Sequence, residues 1–216
     1  MKRGGGPLGL VDPTTPDSEP FRSLRVTIDL QAEHRRGAAL LFTSPTASEG
    51  TTTLASNEAL VTALMPRRTL LIDGDLVRPS VHAGFGVPRD PGLVDVVRGR
   101  LPFVDAVAGV TYRSARLHVL PAGRPTARTG DVVISEAMGD VLALARDAFD
   151  SVIIDAPPVL DSGDAAGLAA HPGVDTVVVV DARQRRKLLV RAVTQLERAG
   201  ANVVGVVLNR AAAAAA

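Results

Sequence analysis

Six short apolar runs constrain the fold of this chain more than any other feature. They read AALLF (38–42), RTLLID (68–73), LHVLP (117–121), SVIID (151–155), DTVVVVD (175–181) and NVVGVVLN (202–209). Each is nearly continuous in apolar residues rather than alternating, which is the pattern of strands buried on both faces. Stretches of helical character at 52–64, 92–98, 102–108, 131–149, 163–170 and 184–199 separate them. Strands alternating with helices imply right-handed crossovers and a largely parallel sheet. The expectation is therefore a single doubly wound α/β domain flanked by helices.

The rest of the chain fits around that domain. Residues 1–17, rich in Gly and Pro, read as a flexible lead-in. The segment DSEPFRSLRVTIDLQAEHRR then reads as a helix, with Ser18 as its cap and Pro20 in its first turn. Phe21, Leu24 and Ile28 form its buried stripe. No second domain or internal repeat is visible, so 18–210 form one unit. The alanine run 211–216 is set aside as an artefact.

Composition removes several functions. A net charge of +1 argues against an electrostatic nucleic-acid binder, and the lack of cysteine excludes disulfides and thiolate zinc sites. The four histidines are scattered. The apolar runs are too short to cross a bilayer, and MKRGGGPLGL lacks the apolar centre of a signal peptide. A cytoplasmic protein is expected.

In open α/β sheets ligands bind outside the carboxyl ends of the strands. Here the first strand runs into TSPTASEGTTT (43–53), a Gly-containing turn that opens a helix, the order of a phosphate-binding loop. The second strand ends at Asp73, followed by Asp75, another ends at Asp155, and the last ends at Asn209. Any one of these could merely cap a helix or solvate a loop. Together they point to a nucleotide and magnesium site.

The motifs then resemble a known family. LLIDGDLVRPSVHAGFG is similar to the second motif of the bacterial tyrosine kinases, P-loop proteins of capsule and exopolysaccharide production, whose hallmark runs LLIDADLRRP. SVIIDAPPVLDSGDA resembles their Walker B segment. GLVDVVRGR, LHVLPAGRP and GVVLNR follow in the family's order, and SEPFRSLR carries its Glu-x-x-Arg-x-x-Arg signature as Glu19, Arg22 and Arg25.

The resemblance implies ATP and Mg²⁺ as ligands. It implies catalytic or metal roles for Asp73, Asp75 and Asp155, with Thr52 as the magnesium hydroxyl. It implies nucleotide contacts from Ser48, Gly50, Thr51, Thr52, Thr53 and Asn209, the last near the purine. It also implies a ring-like homo-oligomer through Glu19, Arg22 and Arg25, recruited to the membrane by a chain-length (co-polymerase) protein of polysaccharide export.

The departures matter as much. The family loop reads Pro-Gly-Glu-Gly-Lys-Ser/Thr-Thr, and here Ser48 replaces a glycine and Thr51 the lysine. Thr51 cannot bring charge to the phosphates, and Ser48 adds a Cβ where the backbone needs an unusual φ. RPTARTGDVVI stands where the family has an Asn-Pro-x-Glu-Leu-Leu run, and Tyr112 is the one tyrosine. Three functions stay open: a kinase-deficient regulator or scaffold, an active autokinase in which an arginine from elsewhere replaces the lysine, and a deviant Walker positioning ATPase. The basic cluster RQRRK (183–187) reads as a solvated helix start, or a contact for an acidic partner or lipid.

Overall fold

The computed structural model describes residues 8–31 and 39–211. The strands are β1 (Ala39–Thr43), β2 (Thr69–Asp73), β3 (Ala108–Tyr112), β4 (Ala115–Leu120), β5 (Ser151–Asp155), β6 (Val174–Asp181) and β7 (Asn202–Asn209). The helices are α1 (Glu19–Gln31), α2 (Thr51–Thr62), α3 (Val81–Phe85), α4 (Leu93–Val97), α5 (Phe103–Ala106), α6 (Thr129–Val133), α7 (Glu136–Ala148), α8 (Asp164–Ala169) and α9 (Arg186–Arg198).

All seven strands join one sheet in the order β3-β4-β2-β5-β1-β6-β7, parallel except for the β3–β4 pair. The central strands β1, β2 and β5 are buried along their whole length. Successive side chains point to opposite faces, so Leu41, Ile72 and Ile154 join one core cluster while Phe42, Leu71 and Ile153 join the other. The first cluster is closed by α7, α8 and α9, the second largely by α2 and by the apolar side of α1. Each such fully buried side chain contributes about 1.5–3 kcal/mol. The two-sided burial expected from continuous apolar runs is thus present, and the strand order sets the carboxyl ends of β2, β5 and β1 side by side.

Four local expectations are corrected. Strand β3 went unread because AGVTY is an alternating edge strand, and the expected helix 102–108 stops at Ala106. The expected helix 131–149 is two helices, broken where the Ser135 hydroxyl accepts the Met138 amide at 3.2 Å and caps α7. Ser18 does not cap α1: its buried hydroxyl donates to the carbonyls of Pro13 and Thr15. The lead-in is not free over residues 8–17. Leu8 and Leu10 are buried in the second cluster, and the Val11 amide donates to Asn57 Oδ1 of α2 at 2.8 Å. Residues 1–7, the first helix beyond Gln31, and 212–216 lie outside the described residues.

Candidate functional site

The turn after β1 is built around Glu49, a buried side chain between two left-handed residues. Ser48 has φ 67° and Gly50 φ 92°. The Glu49 carboxylate accepts the Thr46 amide (2.9 Å), the Thr46 hydroxyl (2.7 Å), the Asp181 amide (2.8 Å) and the Gln184 side-chain amide (3.2 Å). The loop is thereby pinned to the end of β6. Gly50 is the N-cap of α2 and offers no side-chain acceptor to the helix's first amides, which have no intrahelical acceptor and carry the positive end of the dipole. A Cβ on Gly50 would collide with the Asn209 side-chain amide. That amide donates to the Glu49 carbonyl at 2.8 Å, and its oxygen accepts the Arg210 amide at 2.9 Å. Asn209 is therefore committed to the loop backbone.

Asp73 and Asp155 are register partners across β2 and β5, and both are buried. Asp73 Oδ2 accepts the amides of Ser80 and Val81, each at 3.1 Å, while its Oδ1 has no partner. Burial pushes the Asp73 carboxyl up to about 7, against those two amides. Burial, then the neighbouring charges of Asp73 and Asp75, raises Asp155 well above the carboxylate range. The Thr52 hydroxyl opposes that rise, although no hydrogen bond of ordinary geometry closes on either Asp155 oxygen. Three orphaned carboxylate oxygens beside a threonine hydroxyl form a hard-oxygen donor set of the kind Mg²⁺ takes. Among the described residues, no three acidic, His or Cys side chains cluster closely enough to hold a metal alone. Such an ion would need further oxygens from its ligand.

A cavity of about 270 Å³ opens over the loop. Its wall includes Ser44, Ala47, Ser48, Gly50, Thr51, Thr52, Thr53, Asp75, Arg78, Ala156 and Pro158. Five of the six residues expected to contact nucleotide therefore line the cavity, and the sixth, Asn209, bonds to the loop backbone beside it. Asp75 faces the cavity from the turn after β2, where its Oδ1 accepts the amides of Val77 (3.1 Å) and Arg78 (2.8 Å).

No protein-family model matches the chain. It is 30% identical over 199 residues to the putative tyrosine-protein kinase CapB of Staphylococcus aureus, covering 92% of this chain and 86% of that one. The chain belongs to the bacterial tyrosine-protein kinase family. The putative tyrosine-protein kinase EpsB of Ralstonia solanacearum is 30% identical over 210 residues, and these span 96% of this chain but 28% of EpsB. The kinase domain of the Escherichia coli tyrosine kinase ETK superposes with a TM-score of 0.86 at 26% identity, covering all of this chain and 86% of that one.

The signature helix of this tyrosine-kinase family member differs from the sequence-based expectation of a free charged arc. Arg25 is 11% exposed, donates to both Asp29 oxygens, and lies 3.8 Å from the buried Glu58 of α2. Arg22 donates to the carbonyls of Pro13 (2.9 Å) and Thr15 (3.0 Å) and pairs with Glu19 at 3.3 Å. Both arginines serve intramolecular contacts, and Glu19, paired with Arg22, is the most exposed of the three. The outer face of α1 carries Val26 and Leu30 instead, 59% and 64% exposed. In the basic cluster, Arg183 is bound to Asp181 and α9 starts at Arg186. The altered segment after Gly123 folds into α6, which packs on α8.

Sequence reasoning missed Glu49, Asp181 and Arg210, which brace the loop, and Arg78, which lines the cavity. Arg78 had a legible signal. An aspartate three residues earlier folds the turn back through its side chain, as Asx turns do.

Proposed function

We propose that this chain is a kinase-deficient, nucleotide-binding member of its family, acting as a scaffold or regulator of exopolysaccharide or capsule production. The observation that carries this reading is the loop itself. Its frame is held by Glu49 and opens α2 towards an anion, yet Thr51 stands at the lysine position and Ser48 at a glycine position in left-handed backbone.

A nucleoside triphosphate would place its phosphates over the amides of Gly50–Thr53, where the helix dipole favours negative charge. Thr52, Asp73 and Asp155 are the residues that would hold Mg²⁺. The ion would supply positive charge against the phosphates. The tied loop keeps the amides in place. No side chain of the loop supplies the cation that stabilises a transferring phosphoryl group. Such a donor contributes on the order of 3–4 kcal/mol, so transfer falls by roughly 10²–10³ even where nucleotide docks. Tyr112 is a poor acceptor, half-buried in β3 with its hydroxyl 3.4 Å from the Leu10 carbonyl.

The resemblance further supports assembly. We place a homo-oligomer contact on the outer face of α1, where Val26 and Leu30 continue the line of Glu19, and a membrane-bound chain-length protein as the partner. Incubation with γ-labelled Mg·ATP and a tyrosine-containing acceptor peptide tests the reading. Labelling at no more than about a hundredth of ordinary kinase turnover is expected. Label appearing at ordinary kinase turnover, about 1–100 s⁻¹, would establish the active-autokinase reading instead.

A further inference from the structure

Removing a lysine from a phosphate site leaves bound polyphosphate short of a counter-charge. Arg78 is the one cationic side chain on the cavity wall among the described residues. It enters from the turn after β2, and its backbone amide is fixed by Asp75 at 2.8 Å. Its guanidinium now pairs with Asp161 at 3.3 Å, with side chains 59% and 40% exposed. Exposed pairs of this kind are weak and readily exchanged. A phosphate offers the same guanidinium a stronger, bidentate partner.

The other nearby arginines are already engaged. Arg210 Nη1 donates to the Ser48 carbonyl (2.9 Å) and to Asp181 (2.8 Å), and Arg183 donates to Asp181 as well. Both serve the outside of the loop, and neither lies on the cavity wall.

We infer that Arg78 is the phosphate-binding cation of this site, leaving Asp161 for the terminal phosphate of a nucleoside polyphosphate bound over the loop. This rests on the nucleotide-binding reading above. Arg78 holds the bound ligand equally before and during transfer, which adds affinity without restoring the transfer rate that the lysine supports, while Asp161 competes for the arginine and weakens the site in its empty state. That competition gives the two residues opposite signs when substituted.

Calorimetric titration of Mg·ATP into the wild type, Arg78→Gln and Asp161→Asn is the test, with unfolding curves to confirm that all three are folded. Arg78→Gln should weaken binding by roughly tenfold or more. Asp161→Asn should tighten it by about two- to fivefold. Wild-type affinity in Arg78→Gln would overturn the assignment and leave the nucleotide site standing. Absence of binding in the wild type and in Asp161→Asn, up to millimolar Mg·ATP, would overturn both.

Discussion

Ser48 carries a Cβ at φ 67°, a conformation that costs a non-glycine residue about 1 kcal/mol or more. Ser48→Gly should therefore stabilise the fold by roughly 0.5–1 kcal/mol and raise Tm by a few degrees in thermal unfolding. An unchanged or lower Tm would mean the turn is not strained. Glu58 is a second residue under tension. It is fully buried on α2 with neither oxygen hydrogen-bonded, and burial pushes it up to about 8, against the nearby Arg25. Between its unfolded value near 4.5 and 8, the folded state holds a proton that the unfolded state has lost. Glu58 therefore lowers stability as pH rises through that window, by at most about 1.4 kcal/mol per pH unit. Glu58→Gln should flatten the fall in Tm between pH 5 and 8 relative to the wild type. Parallel curves for the two proteins would contradict this.

At the scale of elements, α1 separates two roles that its sequence signature merges. The helical period correctly set Phe21, Leu24 and Ile28 inward. It could not reveal that Arg25 turns under the helix to Asp29 and Glu58, because Glu58 belongs to α2 and only tertiary contact brings it there. Arg25→Ala should cost about 1–3 kcal/mol of fold stability. Val26→Glu with Leu30→Glu should leave Tm nearly unchanged, since both side chains are exposed, while dissociating any oligomer seen by sedimentation. An oligomer that survives the double change would move the contact off this face. Strand β3 and the α6–α7 break were illegible for a related reason. An exposed edge strand and a single capping serine leave little apolar periodicity to read.

For the whole molecule, six of the seven strands among the described residues and the edge where their carboxyl ends converge could be read from the apolar runs alone. Runs buried on both faces fix strand ends, and strand ends fix where Asp73, Asp155 and the loop converge. What could not be read was the set of braces, since Glu49 meets Asp181 and Gln184 across more than a hundred residues. Those braces support the proposed reading of a site intact in frame, with Ser48 and Thr51 in place of the resembled family's glycine and lysine. Titration of Mg·ATP into the wild type and into Ser48→Gly with Thr51→Lys tests that claim most directly. A restored charged contact should tighten binding by at least about tenfold. Equal affinity in the two proteins would contradict the account and move the lesion outside the loop.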